Sequence, residues 1–214
     1  VCHTQAGGPE ACVTCHGNFG GSVSELANWA PPEDLSGNAS VTDRGVGAHQ
    51  GHLTGTNLSE AFVKDCNLCH PDIQNFDDPR HIDVDPAIDM DFNAVATDSG
   101  RVTPTWPVAP TSCANTYCHG NFTFLKSESK YTFGYATGAT EITGNKATVD
   151  WTSSGGGNAA CGTCHGLPPE GHLAATITAC ATCHAAVVDG SGNIIDKTKH
   201  INQKIDVLGD SYRP

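Results

Sequence analysis

Residues 161–184 read Cys161-Gly162-Thr163-Cys164-His165-Gly166-Leu167-Pro168-Pro169-Glu170-Gly171-His172-Leu173 and, after six further residues, Cys180-Ala181-Thr182-Cys183-His184. The rest of the chain is organised around the same unit. C-x-x-C-H occurs again at Cys12, Cys15, His16 and at Cys66, Cys69, His70, and a longer form, Cys113-Ala114-Asn115-Thr116-Tyr117-Cys118-His119, places four residues between its cysteines. In all five pairs the second Cys is followed at once by His.

This spacing is that of the c-type haem attachment motif. Two thiols add to the vinyl groups on one edge of a porphyrin, and the next side chain lies under the iron, where an imidazole is an axial ligand. The longer spacer loops out extra backbone while keeping the terminal Cys-His in place. C-x-x-C pairs also build zinc ribbons, dithiol redox centres and disulfides. Zinc does not need a His after every second Cys, however, and a redox centre needs one pair rather than five. Cys12, Cys15, Cys66, Cys69, Cys113, Cys118, Cys161, Cys164, Cys180 and Cys183 therefore read as thioether positions, and His16, His70, His119, His165 and His184 as proximal ligands of five haems c.

Composition supports a core supplied by the cofactor. The 214 residues are 38% hydrophobic and 7% aromatic and include 24 Gly and 12 Pro, too little apolar surface to offset the entropy of ordering the chain. Covalent porphyrins add apolar surface and restrict the unfolded state. The net charge of −12 argues against nucleic acid as a partner, which needs clustered Lys and Arg. No run approaches the 18 apolar residues of a membrane span. The chain starts at Val1 without a charged and apolar leader, as expected of a mature form or of one whose front end is missing.

The second axial ligands come from the other histidines. The sequence holds one Met, Met90 in Ile88-Asp89-Met90-Asp91-Phe92, which reads as a buried filler. Setting His3 aside, His49, His52, His81, His172 and His200 are five distal candidates for five irons, so bis-histidine ligation is expected throughout.

The chain also repeats itself. Cys12-x-x-Cys15-His16-Gly17, Gly51-His52-Leu53, Cys66-x-x-Cys69-His70 and His81-Ile82-Asp83 recur as Cys161-x-x-Cys164-His165-Gly166, Gly171-His172-Leu173, Cys180-x-x-Cys183-His184 and His200-Ile201-Asn202. Cys113…Cys118-His119 precedes the second set, and Cys2-His3 stands in the matching place before the first. Cys2 is then a thioether and His3 a proximal ligand of a sixth haem whose other cysteine lies before Val1; the alternative is a spare or distal His3 and an unattached Cys2. Six irons need twelve axial ligands and there are eleven His. Alignment of His49 with Pro169 places the vacancy in the second repeat, to be filled by a neighbouring subunit, a residue before Val1 or Met90, or left open as a substrate site.

The expected organisation is a first haem-binding repeat over 1–92, a linker over 93–111 marked by Gly100, Pro104, Pro107 and Pro110, and a second repeat over 112–214 with a small antiparallel β insert at about 121–152. The runs Asn121–Leu125, Lys130–Tyr135 and Lys146–Trp151 supply its strands, with Gly144-Asn145 as a turn. Helices of two or three turns are expected over Ser59–Cys69, capped by Ser59, and over Thr176–Ala186. The fold class is a mostly irregular multihaem cytochrome with few short α-helices and a core of covalent haems. Trp29, Trp106 and Trp151 are expected to pack on porphyrin faces or cover the linker. The acidic run Asp77, Asp78, Asp83, Asp85, Asp89 and Asp91 reads as a solvated loop, and Asp189-Gly190-Ser191-Gly192-Asn193 as a turn.

With these motifs in view the sequence resembles the multihaem c-type cytochromes of metal-reducing bacteria, and within them the extracellular group with mixed C-x4-CH and CxxCH repeats. The resemblance covers 1–92 and 112–207, apart from Gly17–Gly45 and Asn121–Trp151. It implies electron transport rather than enzymatic chemistry, at the outer cell surface or beyond it, or alternatively in the periplasm. Some members polymerise into filaments in which a distal His comes from the next subunit. That implies a homo-oligomeric nanowire subunit, with other cytochromes or mineral electron acceptors as partners. A monomeric carrier is the alternative, and a haem reductase of small oxyanions with one open iron in the second repeat is a further one.

Overall fold

The computed structural model describes residues 13, 16–18, 21–22, 24–34, 36–75, 78–81, 88–107, 111–153 and 157–214. Cys2, His3, Cys12, Cys15 and part of the acidic run lie outside them.

Regular structure is sparse, as the composition requires. Among the described residues two short helices, α1 (His49–Thr54) and α2 (Ala181–His184), and six strands of two or three residues are joined by loops and single 3-10 turns. The strands form three antiparallel pairs: β1 (Ser112–Cys113) with β4 (Val149–Asp150), β2 (Thr123–Leu125) with β3 (Glu141–Thr143), and β5 (Ile205–Val207) with β6 (Asp210–Tyr212). The last pair closes through Leu208 and Gly209, both at positive φ (50° and 88°); that is the conformation of a tight hairpin turn.

The small antiparallel pairs expected of the fold class are present, with strands that differ from those expected. Lys130–Tyr135 is no strand but holds a 3-10 turn at Thr132–Gly134, and the partner of β2 is Glu141–Thr143. The register sets Phe124 opposite Ile142. With Tyr135 these form a buried cluster against which Phe122 and Ile205 pack, while the Arg213 guanidinium sits 4.6 Å from the Phe124 ring centre. The helical expectations shrink. Ser59–Cys69 yields only the turn Cys66–Leu68, and the Ser59 hydroxyl accepts from the Ala61 N–H at 3.1 Å in a local turn rather than capping a helix. Thr176–Ala186 yields a 3-10 turn at Ile177–Ala179 followed by α2.

The turns are made by side chains. Asp34 and Asp189 occupy identical Asp-x-Ser-Gly-Asn loops. In each, Asp Oδ1 accepts from two backbone N–H groups and Oδ2 from the Asn amide, at 2.8–3.0 Å, so both carboxylates are used up in closing the loop. Residues 94–101 are tied to the C-terminal segment. Asp98, fully buried, pairs with Arg213, and Gln203 Nε2 donates to the Ala94 carbonyl at 2.9 Å. No helix among the described residues is long and apolar enough to cross a membrane.

Candidate haem sites

Ten of the eleven histidines face each other in five pairs. Ring centroids are 6.3 Å apart for His16 and His81, 6.3 Å for His49 and His70, 6.1 Å for His52 and His119, 6.4 Å for His165 and His200, and 6.3 Å for His172 and His184. Each pair joins one imidazole that follows a Cys pair to one that does not.

The residues fit a haem iron. A metal–imidazole bond of about 2 Å, plus roughly 1.1 Å from that nitrogen to the ring centre, would put two imidazoles on opposite sides of one iron with centroids roughly 6.2 Å apart. Such a separation leaves no direct contact between the rings. Among the described residues no three His, Cys, Asp or Glu side chains gather as a metal cluster, and a porphyrin would supply the remaining ligands of an iron held by two imidazoles. None of the eight described cysteines is in a disulfide. Burial pushes the Cys69 and Cys118 thiols up to about 12 and Cys113 up to about 11. A dithiol redox centre needs the opposite shift. Leu167 and Ile177, beside two of the motifs, keep 46% and 42% of their surface exposed, apolar area that a porphyrin face suits.

Seven of the ten rings have Nδ1 bound to a backbone carbonyl: His49 to Val46 (2.7 Å), His52 to Ala48 (2.9 Å), His70 to Asp89 (3.0 Å), His165 to Gly166 (2.7 Å), His172 to Leu173 (2.8 Å), His184 to Asp206 (2.6 Å) and His200 to Leu58 (2.8 Å). A carbonyl only accepts, so Nδ1 carries the proton and Nε2 keeps the lone pair that a metal needs. Burial pushes His49 and His119 down to about 4, keeping them neutral. His119 is the exception in bonding, for its Nδ1 is buried without a partner.

Local sequence explains these placements. In α1, His49 and His52 stand three residues apart and so emerge on one face. Gln50 Nε2 donates to the Ala27 carbonyl at 2.9 Å and ties that helix to the 3-10 turn Leu26–Trp29. The β insert carries two attachment loops. Gly120, at φ 90° after the turn that bears Cys118 and His119, packs on the Cys164 backbone where any Cβ would collide, and Asn145 donates from its side chain to the Gly162 and Thr163 carbonyls at 2.9 and 3.0 Å.

The two repeats share a further element that the motif spacing does not reveal. Ile88-Asp89-Met90 and Ile205-Asp206-Val207 are equivalent: Asp89 and Asp206 accept the hydrogen bond of the proximal imidazole Nδ1–H on their carbonyls, and the residue two further on donates its N–H to the carbonyl of the second Cys, Asp91 to Cys69 at 2.8 Å and Leu208 to Cys183 at 2.7 Å. The shared Ile-Asp is the signal that could have found it. Met90 thus occupies the place of the buried Val207 and forms no part of an imidazole pair.

One expectation is corrected. The vacancy does not fall in the second repeat, because His184 already faces His172. His49 serves His70 in the first repeat, and His52, although aligned with His172, crosses to His119 of the second. The histidine left over is His3, outside the described residues. Trp151 meets Trp106 of the linker edge-on at 5.8 Å, as expected of a residue that covers it, and also packs on His49 and His52.

These paired imidazoles behind Cys-His motifs fit a multihaem c-type cytochrome-like protein. More particularly, residues 112–165, about a quarter of the chain, match the family described as Geobacter CxxxxCH...CXXCH motif; the match spans Cys113 to His165 and implies covalently bound c-type haem. No curated protein and no solved structure matches the chain.

Proposed function

We propose that the chain transfers electrons along a row of bis-histidine haems and performs no enzymatic turnover. The observation that carries this reading is the set of five imidazole pairs at 6.1–6.4 Å, each built from one Cys-His ring and one distant ring. When bound, haem supplies one-electron exchange at iron. The chain's residues attach it through Cys66, Cys69, Cys113, Cys118, Cys161, Cys164, Cys180 and Cys183, with Cys12 and Cys15 assigned from sequence. They hold the axial rings neutral and fix their tautomers. With two imidazoles at each of these five irons, a substrate finds no open position there.

Proximity of the attachment points supports conduction in sequence order. Cys69 lies near Cys113 and Cys118, and Cys118 near Cys164, and His49 lies near His16 and His70. A sixth haem on Cys2 and His3 draws its second imidazole from outside these 214 residues, because the other ten are paired. A neighbouring copy in an extracellular filament is the donor we favour, with other cytochromes or minerals as acceptors; a monomeric outer-surface or periplasmic carrier is the alternative.

Intact mass under denaturing conditions counts the covalent haems: five or six are expected, and a colourless denatured protein overturns the reading. A fully low-spin spectrum with filaments in electron micrographs favours the filament, and a low-spin monomer favours the carrier.

A further inference from the structure

Trp151 stands at the junction of the two repeats. It lies beyond β4 in the second, held by its own N–H to the Thr111 carbonyl at 3.1 Å, yet its ring reaches into the first. Its centroid is 4.7 Å from that of His49, edge-on at 88°, and 5.6 Å from that of His52, stacked at 30°. The indole Nε1–H donates to the Arg44 carbonyl at 2.8 Å, and Trp106 closes the far side edge-on at 5.8 Å. Gly47, at φ 43°, makes room: a Cβ there would collide with the indole. Each imidazole is held at Nδ1 by a backbone carbonyl just ahead of α1, Val46 for His49 and Ala48 for His52, and an indole packed on the ring is a second restraint on its plane. The indole restrains both rings at once.

We propose that Trp151 is a positioning residue for two irons, setting the ring planes of His49 and His52 and so coupling the His49/His70 site to the His52/His119 site. The proposal rests on the bis-histidine reading above. The ring planes meet at 23° in the first site and at 69° in the second. The angle between two axial imidazoles governs how the iron d orbitals split, and therefore the g values of the ferric low-spin signal.

The experiment is electron paramagnetic resonance of the oxidised holoprotein, with haem content measured in parallel. Trp151→Leu is expected to shift the g values of signals integrating to two irons and to leave the other three described sites unchanged. Gly47→Ala, which displaces the indole without removing it, is expected to shift the same two. Trp151→Phe keeps an aromatic face but loses the bond to Arg44, so it is expected to retain more of the parent spectrum than Trp151→Leu, and it serves where the Leu variant fails to fold. Spectra superimposable on the parent overturn the proposal, and so does an equal change at every iron, the mark of a merely structural role. Absence of covalent haem from the parent overturns the bis-histidine reading itself, whereas haem-bearing variants with unmoved signals overturn this inference alone.

Discussion

Gly51-His52-Leu53 and Gly171-His172-Leu173 are the same tripeptide in the same place of two repeats, yet their histidines face different partners, His119 and His184. The first lies in α1, where His52 is bound at Nδ1 to Ala48, one turn back. The second is pinned to the β insert: Gly171 takes φ 81° against the Glu141 carbonyl, its own carbonyl accepts from Ala136 N–H at 2.9 Å, and Leu173 N–H donates to Gly134 at 2.8 Å. A left-handed residue ends any helix, so His172 turns to the nearby His184 of its own repeat. In the first repeat the helix carries a second imidazole, His49, which takes the equivalent partner His70 and releases His52 to the other repeat. Backbone conformation, not the motif, decides which imidazole a histidine faces.

The largest effect comes from cutting that crossing. His52→Ala is expected to leave the iron at His119 with a single imidazole, so that one of the five described sites turns high-spin. The double variant His52→Ala/His119→Ala should cost the same single low-spin site, because the two residues act as a unit, whereas His52→Ala/His70→Ala should cost two. If the first double costs two low-spin sites and the second only one, His52 serves His70 after all, and the comparison between repeats fails.

A smaller and opposite pair of effects probes the backbone directly. Gly51 lies in α1 with open space around its missing Cβ, so Gly51→Ala should stabilise the protein by about 1 kcal/mol through helix propensity. Gly171→Ala meets both the left-handed φ and the Glu141 carbonyl, and should destabilise it by roughly 2 kcal/mol. Denaturation of the two variants against the parent reads the difference; equal responses would mean that the two tripeptides share a conformation.

The cofactor chemistry is legible in the sequence because covalent attachment demands a fixed local spacing. Five Cys-His units and five other histidines point to bis-histidine sites by their number alone. Their partnering is not legible, since it depends on where loops cross: His200, for example, is held by the carbonyl of Leu58, 142 residues away. Alignment of the repeats pairs His52 with His172 correctly as residues and misleads as to function. Elements of two or three residues are also beyond reach. β3 is Glu141-Ile142-Thr143, too short for a period-2 pattern to show, and α1 carries a Gly and two His that weaken any helical signal. The β insert is visible by its aromatic and β-branched residues, but Lys130–Tyr135 has that composition too and only makes a turn.

The finest distinction lies between the two sites that share α1. At His70 the proximal Nδ1–H reaches the Asp89 carbonyl at 3.0 Å, whereas at His119 the same atom is buried with no acceptor. A donated hydrogen bond raises the electron-releasing power of an imidazole and favours ferric iron, so its lack, together with burial, raises the potential. The iron between His52 and His119 should therefore be reduced before its neighbour between His49 and His70. In a reductive titration followed by electron paramagnetic resonance, the signal of the 69° site is expected to fade ahead of that of the 23° site. The reverse order would mean that position along the row, and not the bond at Nδ1, sets the potentials here.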